Sequence, residues 1–444
     1  MTGIAIFALS VLFLFWSFLG YHNVGLHADL SRDLHELSNL WIHRIVWLGP
    51  QLRVGFPASP MYYYLLFPGI ILSNGNARSL AISQAFFAFV ALGLMIFAQK
   101  KEKTLSSLIA TFAIGLSPWW IRLVTNPWNG NMYAIFLLIS LVLLWNINNF
   151  FIAALSFGIA LSLHPAAIFA TPIFMYELLR RKNKLQNIVL SIIAILLPWT
   201  PIILYEWITK GFLTRQWLVH QSTGIEFLIN LGNLRQLIAM FQLPTLFLLF
   251  ALLATILWSS KRMRYWIVCS GISYLALLFL KDVHTYYLLG ITTVTAFIMT
   301  MSLRKTTAGK VILFLIIFVY LSKIVLPSPT TYLQNRTIPM LESTVDQILA
   351  QDFDKEKTYA LVSVIDEQSS APQADDYRFF FRTKGIGAVN IEEYPSADYL
   401  IVFFEPEDFP WQNWEDWHTQ YFGSKKFQSH REINGIQIVQ YQRE

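Results

Sequence analysis

The acidic residues near the N-terminus have a spacing that suits acid–base chemistry. Asp29, Asp33 and Glu36 lie close together, although residues 1–325 contain only 8 acidic residues in all. A spacing of four residues places Asp29 and Asp33 on one face of a helix, with Arg32 beside them. Paired carboxylates beside a hydrocarbon boundary can have raised pKa values, which suits a general base. The alternative is an interfacial helix with a solvated acidic face.

An aromatic segment follows these acids. Turn residues, Gly49-Pro50 and Gly55 to Pro60, lead into Met61 to Pro68, which includes Tyr62 and Tyr63. This apolar stretch is too short to cross a bilayer. We therefore expect it to lie at the interface or to re-enter the protein; a plain aromatic belt anchor is the alternative.

Long apolar runs form the scaffold for these loops. The 444 residues are 55% apolar and only 14% charged, whereas an average soluble protein is about 25% charged. This composition excludes a hydrophilic soluble domain, a disordered chain and a disulfide scaffold. The runs predict an α-helical polytopic membrane protein, because most of them reach the ~17–25 residues of a transmembrane helix. About eleven spans are predicted, at residues 4–20, 78–98, 105–121, 131–147, 150–163, 165–179, 185–204, 236–258, 265–280, 284–303 and 309–325.

Basic clusters between the spans indicate the orientation. Lys100 to Lys103, Arg180 to Lys184, Lys261 to Arg264 and Arg304 to Lys310 fall on one side if the spans alternate. By the positive-inside rule that side is the cytoplasm. We therefore predict a multi-pass protein of the cell membrane (inner or plasma) with a cytoplasmic N-terminus, a long outer loop at residues 21–77 and an extracytoplasmic C-terminal segment.

The C-terminal segment has a soluble composition. Residues 326–444 contain 10 basic and 19 acidic residues, whereas residues 1–325 contain 23 and 8, so the net charge of +6 combines a basic membrane body with an acidic domain. Two segments are typical of buried strands and two of helices, namely Thr358 to Ile365, Ala397 to Phe404, Thr337 to Gln351 and Trp411 to Phe422. The sequence thus predicts a transmembrane domain (1–325) and an extracytoplasmic α/β domain (326–444).

The order of these segments resembles the GT-C glycosyltransferase superfamily. Asp29-x-x-Arg32-Asp33, then Gly49-Pro50 and the tyrosine segment, resemble the first outer loop of bacterial members akin to protein O-mannosyltransferases and lipid A aminoarabinose transferases. Further matching pieces are Asn126-Pro127, His164-Pro165, Pro198 to Glu206 and His284 to Leu288. The resemblance covers about residues 1–325.

The resemblance implies a GT-C-like membrane glycosyltransferase that uses a sugar carried on a polyprenyl phosphate. In that family the first-loop Asp, here Asp29, is the general base that deprotonates an acceptor, which then attacks the anomeric carbon with inversion. Asp33 is the second catalytic candidate. The implied partners are the donor, the lipid bilayer and a glycan, lipid or protein acceptor on the extracytoplasmic face, but no nucleic acid. The sugar is a hexose or a pentose.

The groups that would hold the donor phosphate depart from the family pattern. This chain has Ala58-Ser59 where many relatives place Lys or Arg, and Leu30 where many have a second acid. Arginine suits phosphate because its fork can bind two oxygens. The candidates for donor phosphate and lipid binding are Arg32, Arg53, Tyr62, Tyr63, Arg122, Arg215, Lys281 and His284. The candidates for the acceptor or cavity are Asn126, His164 and Glu206.

Other functions stay open at this point. Some GT-C enzymes depend on a divalent metal, but the sequence has no tight ligand spacing such as His-Glu-x-x-His, and no metal ligand is assigned. A multi-span transporter is one alternative, although no charge lies well inside a predicted span and no internal repeat is found. A polysaccharide polymerase or ligase of the cell envelope is another, although its large outer loop usually comes late in the chain. A non-catalytic scaffold is the third.

Overall fold

Apolar α-helices account for most of the structure, a computed structural model that describes residues 2–26, 28–51, 56–97, 104–146, 150–181, 184–220, 231–279, 284–324, 337–350, 353–365, 374–406 and 409–444. The helices before residue 322 are α1 (Thr2–Asn23), α2 (Ala28–Trp41), α3 (Met61–Leu72), α4 (Ser79–Phe97), α5 (Thr104–Gly115), α6 (Pro118–Thr125), α7 (Asn129–Asn146), α8 (Phe150–Leu163), α9 (Thr171–Leu179), α10 (Lys184–Leu196), α11 (Thr200–Ile208), α12 (Phe212–His220), α13 (Leu231–Met240), α14 (Thr245–Trp258), α15 (Lys261–Leu278), α16 (Thr285–Leu303) and α17 (Thr307–Leu321).

The chain folds into two units, which we name the helical unit and the sheet unit. The helical unit consists of Met1–Val24, Trp47–Leu66 and Leu80–Pro329. The sheet unit consists of Gly25–Val46, Phe67–Ser79 and Thr330–Glu444. Helix α2, with Asp29, therefore belongs to the same unit as the C-terminal residues. The predicted domain boundary at 325/326 stays a prediction, since residues 325–336 lie outside the described part of the chain.

Five helical segments in the described residues are long and apolar enough to cross a membrane: Gly3–His22, Ser79–Phe97, Asn129–Asn146, Lys184–Ile208 and Thr285–Leu303. Two bent helix pairs raise the number to seven if each pair is one span. All eleven predicted apolar segments coincide with a helix or a helix pair. Four predicted spans are not among these seven. The helices at 150–163, 165–179 and 309–325 are too short to cross a membrane by themselves, and α15, at the predicted span 265–280, has three basic residues in its first turn. The count of eleven spans therefore stays a prediction.

Prolines break two spans that the sequence analysis treats as continuous. The chain bends by 68° between α5 and α6, and by 86° between α13 and α14. Pro118 is the first residue of α6, and Pro244 directly precedes α14. Proline fits the start of a helix but cannot donate a hydrogen bond within one, so each proline begins a new helix in a new direction. The predicted spans 105–121 and 236–258 are thus corrected to two helices each.

The helical unit has a buried centre and an apolar outer surface. Helices α7 and α16 are buried along most of their length and pack against each other. Outer helices expose large apolar side chains, among them Leu246 (82% exposed) and Phe318 (67% exposed). An outer surface of exposed apolar side chains suits contact with lipid rather than with water. The length and composition of the helices indicate a multi-pass membrane protein.

A five-stranded mixed sheet forms the core of the sheet unit. Its C-terminal elements are α18 (Ile338–Leu349), β1 (Thr358–Val364), α19 (Asp375–Thr383), β2 (Gly387–Ala388), β3 (Tyr399–Phe404), α20 (Trp417–Phe422), β4 (Lys425–Ile433) and β5 (Ile436–Arg443). The strand order is β2-β1-β3-β5-β4. β1 is parallel to β2 and β3, while β5 is antiparallel to β3 and β4.

The predicted strands at 358–365 and 397–404 are β1 and β3, and the predicted helix at 337–351 is α18. The predicted helix from Trp411 to Phe422 is wrong in its first half, where a 3-10 turn ends at Asn413. The helix begins only after Asp416, whose side chain accepts a hydrogen bond from the Thr419 amide at 2.9 Å. An Asp at this position satisfies a free amide of the first turn, so it fixes the start of α20.

Helix α19 covers one face of this sheet. The Tyr377 ring of α19 stacks on Phe403 of β3 with a centroid distance of 3.8 Å. On the opposite face, Val362 of β1 and Val402 of β3 belong to an apolar cluster with Phe422 of α20. α19 thus lies between the sheet and helix α2, against which it also packs.

Candidate functional site

Helix α2 holds the acidic cluster. Leu30, Leu34 and Leu37 recur at helical spacing and are buried, so the apolar stripe orients the helix. Asp29 lies in the first turn, where a negative charge interacts favourably with the helix dipole. Local sequence therefore accounts for both the helix and the direction of its polar face.

Arg32 joins the two aspartates that the spacing predicts to be neighbours. Its Nη1 donates to Asp29 Oδ1 at 2.8 Å. Its Nη2 and Nε donate to Asp33 Oδ1 at 2.8 and 3.1 Å. The Asp29 side chain is 48% exposed and the Asp33 side chain 1%. Asp29 can therefore meet a ligand from solvent, whereas Asp33 lies beneath the guanidinium.

Burial shifts the titration of the groups further along α2. Burial raises the pKa of Glu36, although a hydrogen bond from Asn39 and the charge of Arg32 oppose the shift. Burial, together with the positive charges of Arg378, Arg382 and others, lowers the pKa of His35 to about 2. His35 is therefore neutral at physiological pH.

Two buried arginines of α19 face α2, and the sequence analysis misses them. Arg378 donates to Asp375 Oδ1 at 2.7 Å, and Asp375 lies 3.7 Å from His35 Nδ1. Burial raises the pKa of Asp375 to about 6, although Arg378 opposes the shift. Arg382 donates directly to Ser38 and Asn39. In the sequence, Arg378 and Arg382 are four residues apart with three phenylalanines between them, and this pattern indicates an amphipathic helix.

A separate cavity of about 240 Å³ lies within the helical unit. It contains two predicted site residues, Arg122 and Asn126. The two helix bends contribute much of its wall, because α6 follows one bend and residues 240–242 precede the other. Its lining residues are Trp119, Arg122, Leu123, Asn126, Trp128, Asn131, Met240, Gln242, Thr285, Tyr286 and Leu289. The cavity therefore combines one cation, several amides and aromatic rings.

Both predicted histidines contact the aromatic wall of this cavity. His284 lies parallel to the Tyr286 ring at 5.3 Å, and His164 lies edge-on to it at 5.3 Å. Trp128 contacts the same ring at 4.9 Å. His164 also accepts a hydrogen bond from the Ala166 amide through Nδ1 at 3.1 Å, so it caps the 3-10 turn that follows α8. The structure thus brings His164, His284, Arg122 and Asn126 into one region.

Gln84 of α4 shapes the loop that closes the cavity, and the sequence analysis misses it too. Its side-chain amide donates to the carbonyl oxygens of Leu123 and Asn126 at 2.5 and 2.8 Å. Asn131 donates to the same Asn126 oxygen at 2.9 Å. A buried glutamine in an apolar helix is the signal that marks this position, because a buried amide needs partners.

The aromatic segment of the first loop begins inside the helical unit. Tyr62 and Tyr63 are fully buried in the first turn of α3. Ser59, just before this turn, donates to the Pro198 carbonyl at 2.6 Å, and its amide donates to Ser162 O at 3.1 Å. The tyrosines therefore do not form an exposed belt in this structure. Their role in donor binding stays a prediction.

The remaining predicted residues lie elsewhere or outside the described part of the chain. Glu206 accepts hydrogen bonds from the Leu213 amide at 2.7 Å and the Thr214 hydroxyl at 2.6 Å, so it caps the start of α12. Arg215 of α12 donates to the Thr209 carbonyl at 3.4 Å. Arg53 and Lys281 lie outside the described residues. Among the residues that are described, no group of three or more His, Cys, Asp or Glu side chains is placed to hold a metal ion.

Comparison with known proteins identifies the fold. No family model matches the sequence, and no curated protein matches it significantly. The crystal structure of ArnT from Cupriavidus metallidurans bound to undecaprenyl phosphate matches 99% of this chain and 98% of its own, with 10% identity and a TM-score of 0.64. The apo structure of the same protein gives 9% identity, the same coverage and a TM-score of 0.63. Arabinofuranosyltransferase AftD from Mycobacteria matches 98% of this chain and 39% of its own, with 12% identity and a TM-score of 0.49.

The fold of this chain is therefore similar to that of ArnT, which confirms the resemblance found in the sequence at the level of the fold. ArnT is a lipid A aminoarabinose transferase of the GT-C superfamily. The likeness extends over nearly the whole of both chains, and so includes the C-terminal part for which the sequence offers no motif. The chain is a multi-pass membrane protein.

Proposed function

We propose that this chain is a glycosyltransferase that transfers a hexose or pentose from a polyprenyl-phosphate donor to an acceptor on the extracytoplasmic face of the cell membrane. The observation that carries the proposal is the shared fold with ArnT, which was crystallised with undecaprenyl phosphate, itself a polyprenyl phosphate. A likeness across the whole chain favours a transferase over a transporter or a scaffold.

Asp29 is the proposed general base. Its half-exposed carboxylate removes the proton from the acceptor as the acceptor oxygen or nitrogen attacks the anomeric carbon. The bond from that carbon to the phosphate oxygen breaks, and polyprenyl phosphate leaves with the bonding electrons. A single displacement of this kind inverts the anomeric centre. The buried Asp33 and the intervening Arg32 hold Asp29 in place, since both aspartates pair with one guanidinium.

The cavity of the helical unit is the proposed site for the polar part of the donor. Arg122 supplies a cation for the phosphate, which gains charge as the glycosidic bond breaks. The amides of Asn126 and Asn131 suit sugar hydroxyls, and the rings of Trp128 and Tyr286 suit the apolar face of a sugar. This combination of amides with rings favours a glycosyl phosphate over a simple lipid tail.

The proposed topology has the N-terminus in the cytoplasm and the C-terminal part outside. Four basic clusters support this orientation. Cysteine labelling tests it in a Cys269→Ser background: a cysteine replacing the exposed Lys426 is expected to react with an impermeant reagent in intact cells. Labelling only after lysis would contradict the proposal.

Sugar transfer is tested with the full-length protein in nanodiscs. The donors are labelled hexosyl and pentosyl polyprenyl phosphates, and the acceptor source is a cell-envelope membrane fraction. Asp29→Asn is expected to reduce transfer at least 100-fold, which is the lower part of the range for removal of a general base. Asp346→Asn is a matched control, since Asp346 is also a half-exposed aspartate in an ion pair. Transfer at the wild-type rate by Asp29→Asn would show that the base is another group.

A further inference from the structure

The face of α2 opposite Asp29 is fixed by polar contacts to α19. Asp29 and Ser38 are nine residues apart, which is about two and a half helical turns, so they lie on opposite sides of α2. Ser38 shares its side with Ser31, whose hydroxyl donates to Asp376 of α19 at 3.3 Å. Polar contacts to α19 thus hold the side of α2 that faces away from Asp29.

Arg382 makes the most extensive of these contacts. It is 2% exposed, and its Nη1 donates to Ser38 Oγ at 2.9 Å and to Asn39 Oδ1 at 2.8 Å. Its Nε donates to the Ala388 carbonyl at 2.7 Å, and its Nη2 to Asn390 Oδ1 at 2.8 Å. One rigid guanidinium thus joins α2 to the segment that contains β2.

The burial of this charge makes the contact selective for one position of α2. A buried guanidinium is tolerated only when its N–H groups have acceptors. A slip of α2 by one residue would move the acceptors by about 1.5 Å along the axis and about 100° around it. Ser38 and Asn39 would then leave Arg382, so the alternative positions are unfavourable.

Two further contacts support the same position of α2. Arg378, which is fully buried, places Nη1 3.4 Å from Nδ1 of His35. Arg44, just after the end of α2, pairs with Glu393 at 2.7 Å. Polar contacts therefore extend along the length of α2, and Arg382 donates to two of its residues.

We propose that Arg382 is a positioning residue for sugar transfer: through Ser38 and Asn39 it fixes the rotation and register of α2, and hence the direction of the Asp29 carboxylate. This inference rests on the proposed function of Asp29. It assigns to the C-terminal part of the chain a role in the geometry of the reaction.

The test compares Arg382→Lys with Arg443→Lys in the full-length protein. Lysine keeps the charge, but its single nitrogen cannot span four acceptors. Arg443 is a matched control, because it donates to the Ala397 and Tyr394 carbonyls at 2.7 Å within the sheet unit and has no described contact with α2. We expect Arg382→Lys to lower kcat at least tenfold with donor KM within threefold of wild type, and Arg443→Lys to leave kcat within twofold. An unchanged kcat in Arg382→Lys would overturn the proposal.

A second variant approaches the contact from the side of α2. The double substitution Ser38→Ala with Asn39→Ala removes the two acceptors on α2 and leaves the Ala388 and Asn390 acceptors of Arg382 in place. It should reproduce the loss of kcat, and combining it with Arg382→Lys should add less than twofold, because all three residues form one contact. Fully multiplicative losses would contradict a shared role, and so would a double variant with wild-type kcat.

Amide hydrogen exchange separates this inference from the proposed function. Peptides from residues 28–41 should exchange at least tenfold faster in Arg382→Lys and at the wild-type rate in Arg443→Lys. If the wild-type protein transfers no sugar, the proposed function fails, but faster exchange would still establish that Arg382 anchors α2. Unchanged exchange in Arg382→Lys would refute the anchoring itself, whatever the activity.

Discussion

Asp29 and Asp33 share one arginine, yet the structure predicts opposite consequences for their removal. In Asp29→Asn the lost ion pair is exposed, with side chains 48% and 30% exposed for Asp29 and Arg32. Pairs of this kind contribute about 0–1 kcal/mol. Asp33→Asn instead weakens two hydrogen bonds between Arg32 and a carboxylate that is 1% exposed. Each such charged bond contributes about 1.5–3 kcal/mol. Because Arg32 is partly solvated and asparagine can still accept one bond, we expect a net loss of about 2 kcal/mol.

These free-energy losses predict how much faster the backbone amides of α2 exchange in each variant. A loss of about 2 kcal/mol predicts that peptides from residues 28–41 exchange roughly 30-fold faster in Asp33→Asn. In Asp29→Asn the acceleration should stay below about fivefold. Sugar transfer should show the reverse order, with the larger loss in Asp29→Asn. If Asp29→Asn loosens α2 as much as Asp33→Asn does, its loss of activity is structural and the assignment of the base fails. Unchanged exchange in Asp33→Asn would refute the energetic role of the buried pair.

Three further predictions concern the loop, the pH response and the cavity. Gly49→Ala should lower the thermal midpoint and the yield of folded protein, because a Cβ at Gly49 would overlap the Ser59 carbonyl oxygen; Gly271→Ala, where nothing lies within 4 Å, should have little effect. His35 has a lowered pKa in the folded protein, so its contribution to stability is present above pH 6.5 and is lost as the pH falls. Hydrogen exchange, corrected for the pH dependence of the intrinsic amide rates, gives the opening free energy of α2, which should fall about 1–2 kcal/mol less from pH 7 to 5 in His35→Asn than in wild type. An equal fall would contradict the shift. Arg122→Gln should raise the KM for a polyprenyl-phosphate sugar about tenfold without a change in thermal midpoint, since one charged hydrogen bond is lost; an unchanged KM would remove Arg122 from the donor site.

Local patterns in the sequence predict the elements of this fold well. The long apolar runs coincide with helices, the strands β1 and β3 fall on two short apolar runs, and the spacing of Asp29 and Asp33 gives the shared ion pair with Arg32. Each of these features depends on residues a few positions apart. Helical and strand periodicity are therefore sufficient to predict them.

Contacts between distant parts of the chain are what the sequence analysis misses. Ser38 and Arg382 are separated by 344 positions, and no local pattern links them. Likewise, the sequence shows Gln84 only as one polar residue in an apolar helix. It does not show that the partners of this side chain are the carbonyl oxygens of Leu123 and Asn126. Strands β4 and β5 are also missed. β4 is a mostly exposed edge strand, and β5 mixes apolar with polar residues, so neither has the apolar run that marks β1 and β3.

The two helix breaks show how an apolar scaffold acquires a polar site. A straight span presents only side chains, and its backbone groups are all used within the helix. At Pro118 and Pro244 the helices end and restart, so polar residues such as Arg122 and Gln242 are brought to the wall of the cavity beside the amides of the following turns. The prolines therefore do more than shorten two spans: they allow a cation and several amides to lie within a unit whose surface suits lipid. The same principle applies to α2, a short amphipathic helix that carries Asp29 outside the apolar spans, and on our inference its position depends on the distant buried charge of Arg382.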